Sequence, residues 1–213
     1  MSSSVGVESS INDFISDLAS SAPTPGGGAV SALAGALAAA LAEMVGQLTA
    51  GREKYREVEP QVREILAQLA AQRAELMRLV EQDALAYQQV AAAYRLPRST
   101  DQEREERATA VEVALNVAME PPRLVAQAAR SVLVLAGEIA AIGNPTVASD
   151  AGCAALLAQA ALRCASLNVL ANVVLLRDQD AAVVARTEMA ALEAESAPLL
   201  DLALATVRTR MGA

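Results

Sequence analysis

An acidic residue late in a long amphipathic segment is the first candidate for acid–base chemistry in this sequence. Asp83 follows Leu79 by four residues and precedes Tyr87 by four. On a helix this spacing places the carboxylate beside an apolar stripe. A carboxylate in that position is partly desolvated, which shifts its pKa and suits it to proton transfer. Because most acids on such helices are ordinary surface residues, the spacing alone leaves both interpretations open.

A segment rich in proline and glycine, SAPTPGGG at residues 21–28, precedes a run of almost pure Ala, Leu, Val and Gly. Such a segment cannot continue a helix. Free backbone N–H groups at a helix start attract anions, and glycine lets a ligand approach the main chain. No Gly-Lys-Ser/Thr follows, so this is not a nucleotide-binding P-loop. A structural turn and a ligand cradle both fit residues Pro25, Gly26, Gly27 and Gly28.

Two further polar segments interrupt the apolar pattern. LTAGREKY, at residues 48–55, brings Arg52 and Lys54 to the end of the apolar run, where cations are favourable at a helix C-terminus or could bind an anion. In GNPTVASDAG, at residues 143–152, Ser149 and Asp150 are predicted to cap the next helix. That helix carries two amides four residues apart, Asn168 and Asn172. We expect these amides to bond to another helix or to a ligand.

Composition excludes several classes of function. The chain has no His, which removes histidine bases, Ser-His and Cys-His dyads and most zinc sites. The two cysteines, Cys153 and Cys164, are eleven residues apart and match no metal or redox motif, so we expect small, buried, reduced side chains. The net charge of −8 argues against nucleic-acid binding.

The sequence also carries information on the cellular location of the protein. The start, MSSSVGVESS, lacks the charged and apolar regions of a signal peptide, so a cytoplasmic protein is expected. Residues 29–50 are long enough to span a membrane. Their apolar content is mostly Ala, however, and Glu43 and Gln47 interrupt it. We therefore predict no membrane partner and a core helix buried on all sides.

The predicted fold is all-α, because Ala and Leu dominate while aromatic residues make up only 2% of the chain. Residues 1–213 are read as one helical bundle built around two Ala-rich core helices. Predicted helices cover residues 9–20 (capped by Ser9 or Ser10), 29–50, 58–94, a segment starting near 99 that breaks or kinks at Pro121-Pro122, 122–142, 150–176 and 180–210. So much apolar surface on a small chain also predicts a homodimer.

These segments together resemble a known family. FISDLASSAPTPGGGAVSALAGALAAAL (14–41), LTAGREKY (48–55), DALAY (83–87), AAAYRLPR (91–98), GNPTVASDAGCAALLA (143–158) and LNVLANV (167–173) occur in this order. They are similar to the C-terminal cyclodeaminase domain of formiminotransferase-cyclodeaminase and to stand-alone bacterial methenyltetrahydrofolate cyclohydrolases.

The resemblance implies an all-helical homodimer that binds folate in a cleft at or near the dimer interface, with no metal and no cofactor besides its tetrahydrofolate substrate. By motif match, Asp83 is the catalytic acid. The positions that the resemblance places around the folate are Pro25, Gly26, Gly27, Gly28, Arg52, Lys54, Asn144, Ser149 and Asp150.

Two reactions fit this resemblance. Hydrolysis of 5,10-methenyltetrahydrofolate to 10-formyltetrahydrofolate is the expected one, because the chain stands alone without a formiminotransferase domain. Cyclodeamination of 5-formiminotetrahydrofolate, with release of ammonia, is the alternative that the motifs do not separate from it. A non-catalytic helical dimer that binds folate or a partner protein is the alternative from another class.

Overall fold

The computed structural model describes residues 10–212, which form six α-helices and no strand within that range. The all-α prediction is therefore confirmed. The helices are α1 (Ile11–Leu18), α2 (Gly27–Gln47), α3 (Glu59–Tyr94), α4 (Asp101–Ile142), α5 (Ala148–Val173) and α6 (Gln179–Met211), with single 3₁₀ turns at Glu53–Tyr55 and Pro145–Val147. Ser10 caps α1 by accepting a hydrogen bond from the Asp13 N–H, as predicted, whereas Ser9 lies outside the described residues.

Helix α2 lies between α3 and α5 and is antiparallel to both. Gly35 shows how close the three helices come: a Cβ at this position would lie 3.0 Å from the Leu76 side chain and 3.6 Å from the Ala161 Cβ. The buried residues of α2 and α5 are mostly alanines. Small side chains therefore let the backbones approach, and the larger core residues are supplied by the neighbouring helices.

Helix α2 is not buried on all sides, contrary to the sequence-based expectation. Leu37 is 54% exposed and Met44 39% exposed. The reason is that α3, α4 and α5 cover three sides of α2, and no element within residues 10–212 covers the fourth. An apolar stripe on this helix is left facing outward.

Of the break or kink predicted at Pro121-Pro122, the break is wrong, because α4 runs as one helix from Asp101 to Ile142 with both prolines buried inside it. A proline removes one backbone hydrogen bond and crowds the preceding turn. Buried residues lie within one helical turn on either side of the pair, including Met119 and Val125. We attribute the continuity to this packing on both sides, which outweighs the local cost.

The start of α5 and its cysteines also differ from the prediction. The turn at Pro145–Val147 leads directly into α5, so the helix is capped at Val147 without a side-chain bond, and Ser149 and Asp150 lie in its first turn instead of capping it. Cys153 and Cys164 are exposed, not buried. Both lie on the outer face of α5, away from the core helices that the prediction assumed would cover them.

Three helical segments are long and apolar enough to cross a membrane when judged by length and composition alone: Gly27–Gln47, Asp101–Ile142 and Pro145–Val173. In their most apolar stretches, 56%, 56% and 44% of the residues are buried within the fold. Much of this apolar character is therefore already used by contacts inside the bundle.

Candidate active site

Asp83 of α3 caps the N-terminal end of α2. Its Oδ2 accepts a hydrogen bond of 3.0 Å from the Ala29 N–H, in the first turn of α2. The residue at the N-cap position of α2, Gly26, provides no side-chain cap. A carboxylate from another helix therefore does what an N-cap Asp normally does within one helix. The positive end of the α2 dipole adds to the attraction.

Burial raises the pKa of the Asp83 carboxyl above its ordinary value, and the hydrogen bond from the Ala29 N–H only partly offsets this effect. Removing the carboxylate from water penalises its charged form, whereas the N–H donor favours it. Because burial is the larger effect, Asp83 keeps its proton to a higher pH than a surface aspartate. Such a group is better matched to proton transfer near neutral pH.

Gly28 makes the close approach of Asp83 possible. A Cβ at position 28 would lie 1.9 Å from the Asp83 Oδ1 and 2.3 Å from its Cγ. These distances are far inside van der Waals contact, so any side chain at this position would displace the carboxylate. In the loop before it, Pro25 is buried and follows a cis peptide bond from Thr24, while Gly27 is exposed.

Asn168 of α5 lies on the other side of the same helix end. A Cβ at Gly27 would lie 3.2 Å from both the nitrogen and the oxygen of the Asn168 amide. The Asn168 Nδ2 donates to the Cys164 carbonyl (2.8 Å), and the Asn172 Nδ2 donates to the Asn168 carbonyl (3.1 Å). The expected bonds to another helix are therefore wrong, since both amides bond within α5.

We refer to residues 25–29, Asp83 and Asn168 as the Asp83 cluster. Asn168 belongs to it by geometry, although the sequence-based set of site residues did not include it. The sequence shows Asn168 as an amide on an apolar helix, which marks it as unusual. It does not show that this amide lies beside the N-terminal end of α2.

A second group of polar residues surrounds Asn144. The buried Asn144 accepts hydrogen bonds at Oδ1 from the Tyr55 hydroxyl (3.1 Å) and from the Thr146 N–H and hydroxyl (3.1 and 2.9 Å). Its own N–H donates to the Thr49 Oγ1 (2.9 Å), and that hydroxyl donates to the Val45 carbonyl (2.7 Å). Asn144 thus ties together the end of α2, the segment before α3 and the start of α5.

Two cations of this region, Arg52 and Lys54, are exposed to solvent and accessible to a ligand. Neither forms a salt bridge within residues 10–212. The Lys54 Nζ lies 5.4 Å from the centre of the Tyr55 ring. Nearby, Ser149 is exposed and Asp150 is half-buried in the first turn of α5. We refer to Thr49, Arg52, Lys54, Tyr55, Asn144, Ser149 and Asp150 as the Asn144 cluster.

Thr49 and Tyr55 were not predicted as site residues. Both occur in the segment LTAGREKY, in which only the charged residues Arg52 and Lys54 were predicted to bind a ligand. Their role depends on Asn144, which is about ninety residues away in the sequence. Within residues 10–212, no group of three or more Cys, Asp or Glu side chains could hold a metal ion.

A sequence model described as formiminotransferase-cyclodeaminase matches residues 10–191. The chain belongs to this family. Methenyltetrahydrofolate cyclohydrolase of Methylorubrum extorquens is 40% identical over 94% of this chain and 97% of its own length. Formimidoyltransferase-cyclodeaminase of mouse is 30% identical over 78% of this chain, which spans only 31% of that protein.

A solved structure of the same family agrees with the fold. Formiminotetrahydrofolate cyclodeaminase of Thermotoga maritima has a TM-score of 0.79 and 29% identity, with 96% of each chain covered. The resemblance seen in the sequence is therefore confirmed for the family and for the fold along nearly the whole chain.

The residues that this family resemblance places around one folate lie in two separate places. Asp83 contacts the first turn of α2, whereas Thr49 and Asn144 meet beyond its last turn. The 21 residues of α2 span roughly 30 Å at 1.5 Å per residue. A single subunit therefore does not bring the Asp83 cluster and the Asn144 cluster together.

Replacing Gly28 should disable the site by moving Asp83. In Gly28→Ala, the new methyl group occupies the place of the carboxylate, so the bond to the Ala29 N–H is lost. We expect a drop in activity of at least tenfold in a protein that is still helical by circular dichroism. Gly137→Ala is the matched control, because its Cβ would meet the Ala203 Cβ at an ordinary 3.4 Å. Equal activity of both variants would contradict the proposed fit between Gly28 and Asp83.

The partly buried Asp83 carboxylate should cost stability at neutral pH. An aspartate with a raised pKa in the folded state binds protons more tightly than in the unfolded state, so stability falls as pH rises from the ordinary value through the raised one. Asp83→Asn keeps an acceptor for the Ala29 N–H and removes the charge. The variant should melt at a higher temperature than wild type at pH 8, and the gap should shrink at acidic pH. The exposed Asp201→Asn variant should show no such pattern; a constant gap at all pH values would refute the burial argument.

Proposed function

We propose that this chain hydrolyses 5,10-methenyltetrahydrofolate to 10-formyltetrahydrofolate, with Asp83 as the acid–base residue. The observation that carries the proposal is the partly buried Asp83 carboxylate fixed at the first turn of α2. The near-full-length relative named methenyltetrahydrofolate cyclohydrolase supports this reaction over others in the family.

The reaction needs one group that accepts and returns protons. Water attacks the cationic carbon between N5 and N10, forming a C–O bond while Asp83 takes a proton from the water. The resulting hydroxyl adduct then collapses: the C–N5 bond breaks, N5 gains a proton, and the hydroxyl oxygen becomes the formyl carbonyl as it loses its own. The net change is consumption of one water and release of one proton. A carboxylate also stabilises the positive charge of the substrate.

Cyclodeamination is the second candidate, since the relative of known structure is named formiminotetrahydrofolate cyclodeaminase. In that reaction N10 attacks the formimino carbon and ammonia leaves, so the same carboxylate carries a proton to the departing nitrogen. A non-catalytic dimer that binds folate or a partner protein is the third candidate. Assays of both reactions on the wild-type protein separate the three.

The proposed active form is a homodimer whose sites are shared between subunits. The Asp83 cluster of one subunit and the Asn144 cluster of the other would together surround one folate. The exposed Arg52 and Lys54 would bind the carboxylates of its glutamate tail, which gives an acidic protein a local positive patch for an anionic ligand. We further propose that the enzyme is cytoplasmic and uses no metal or cofactor, so chelators should leave its activity unchanged.

Asp83→Asn should fold, bind folate and turn over far more slowly. Loss of a positioned acid or base typically costs about 10²–10⁴-fold, so a loss of at least about a hundredfold is expected. The measurement is the ultraviolet absorbance of methenyltetrahydrofolate, followed as it disappears by hydrolysis or forms from the 5-formimino compound. Full activity in folded Asp83→Asn would remove Asp83 from the mechanism, and a wild type inactive in both assays would favour a binding protein.

Shared sites predict complementation between two defective variants. Asp83→Asn and the double variant Arg52→Ala/Lys54→Ala each damage both sites of a homodimer. Mixed dimers regain one intact site in two, so mixed dimers purified from the two homodimers should have about half of wild-type activity. The assay is activity after co-expression with two different affinity tags and purification through both. If the mixture is no more active than its separate components, each site lies within one subunit.

A further inference from the structure

We infer that Asn168 of α5 contacts the substrate, and that its amide oxygen accepts hydrogen bonds from the N3–H and 2-amino groups of the tetrahydropterin ring. The inference rests on the proposed folate reaction and deepens it. It states which part of the folate lies against the first turn of α2 and which side chain recognises that part. Neither point follows from the role of Asp83 alone.

The protein leaves much of the Asn168 amide unused. Its Nδ2 donates to the Cys164 carbonyl (2.8 Å), one turn back on the same helix, and its Oδ1 accepts no hydrogen bond from residues 10–212. A side-chain amide offers two donors and an acceptor oxygen with two lone pairs. The local bond therefore fixes the amide in one orientation while the oxygen stays available. Asn172 makes the same kind of local bond, to the Asn168 carbonyl (3.1 Å).

The surroundings of Asn168 distinguish it from an ordinary surface amide. It is half-buried, and in the ten residues LNVLANVVLL, at 167–176, the only polar side chains are Asn168 and Asn172. Amides on so apolar a helix need hydrogen-bond partners. Two kinds of partner fit this pattern, another helix or a ligand. The part of the chain that the structure describes contains no bond from either amide to another helix. Of the two, the ligand remains.

Asn168 and Asp83 approach the same turn of α2 from different sides. A Cβ at Gly28 would overlap the Asp83 carboxylate, whereas a Cβ at Gly27 would lie 3.2 Å from both polar atoms of the Asn168 amide. Neighbouring residues of a helix point about 100° apart around its axis, so the acid and the amide lie on adjoining sides of this turn. Gly27 is exposed and has no side chain, so a flat ring can lie against the main chain between them.

The position of the acid decides which part of the substrate lies there. The carbon that reacts is bonded to N5 and N10, and N5 is a member of the tetrahydropterin ring. A ring whose N5 is within reach of Asp83 lies against the first turn of α2. The pyrimidine half of that ring carries N3–H and the 2-amino group, which are both hydrogen-bond donors. The unused Asn168 oxygen is the matching acceptor, and a few such polar groups are what fixes the orientation of a bound ligand.

Replacing Asn168 should weaken binding of the ring and leave the rest of the folate unaffected. The probes are 6-methyltetrahydropterin, which is the ring alone, and p-aminobenzoylglutamate, which is the remainder. In Asn168→Ala, which preserves a good helix former, the Kd of the tetrahydropterin should rise about tenfold, the order expected for the loss of such hydrogen bonds. The Kd of p-aminobenzoylglutamate should not change. Ligand-observed NMR titration under anaerobic conditions measures both constants without any turnover.

Two further variants separate substrate contact from a structural role. Asn116→Ala is the matched control and should change neither Kd. Asn116 is an exposed amide of α4 outside the Asp83 cluster, and its Nδ2 makes the same local bond, to the Glu112 carbonyl (2.9 Å). Asn168→Asp cannot donate to the Cys164 carbonyl but keeps an acceptor for the ring, so it should keep the wild-type Kd for the tetrahydropterin. An aspartate variant as weak as Asn168→Ala would assign the effect to the local helix bond and overturn the inference.

The outcomes separate this inference from the proposed reaction. A wild type that hydrolyses methenyltetrahydrofolate while Asn168→Ala keeps both wild-type Kd values would overturn the inference and leave the reaction intact. Weaker binding of p-aminobenzoylglutamate alone would also overturn it, since a different part of the folate would then contact Asn168. A wild type that binds the tetrahydropterin through Asn168 yet is inactive in both folate assays would refute the proposed reaction and support the inference.

Discussion

The hydrogen bond from the Ala29 N–H to Asp83 is the contact on which the site depends. It joins α3 to the start of α2 at the one place where α2 has no cap of its own. The same bond holds the carboxylate at a helix end that attracts anions. Burial nevertheless dominates and raises the pKa of Asp83. The protein therefore keeps a carboxylate that is anchored by its charged form yet ready to take a proton, which is the combination that proton transfer at nitrogen requires.

The length of α2 is the second constraint. A straight helix of 21 residues holds its ends roughly 30 Å apart whatever its side chains do. One end meets Asp83, and the other meets Thr49 and Asn144. Asn144 has three donors on its side-chain oxygen, so it acts first as a structural tie that fixes this corner and thereby positions the exposed Arg52 and Lys54. One end of the helix therefore holds a fixed acid, and the other end carries two exposed cations.

The sequence predicted the helices well because helix formers and loop segments alternate clearly along the chain. Its spacing placed Asp83 beside an apolar stripe, and the family resemblance named Asp83 as the catalytic acid. It failed where tertiary packing overrides local preference: Pro121 and Pro122 remain inside α4, and Ser149 lies within α5 instead of capping it. It also could not reveal the bond from Ala29, a main-chain donor fifty-four residues from its acceptor. Nor could it show that residues grouped around one folate by resemblance lie at opposite ends of one helix.

The alanine-rich composition connects these features. On its inner sides, α2 must be thin. Gly28 leaves room for the Asp83 carboxylate at a distance that no larger residue permits, and Gly35 lets the Leu76 side chain approach closely. Thin helices bury little apolar area per residue, so a bundle built from them leaves apolar surface uncovered. Here that surface is the Leu37 stripe and the outer face of α5. In the proposed homodimer, a second copy would bury this apolar surface. It would also bring the Asp83 cluster of one subunit to the Asn144 cluster of the other. The small residues of α2 that let Asp83 approach within one subunit are thus also the reason why the bundle leaves apolar surface for a second subunit.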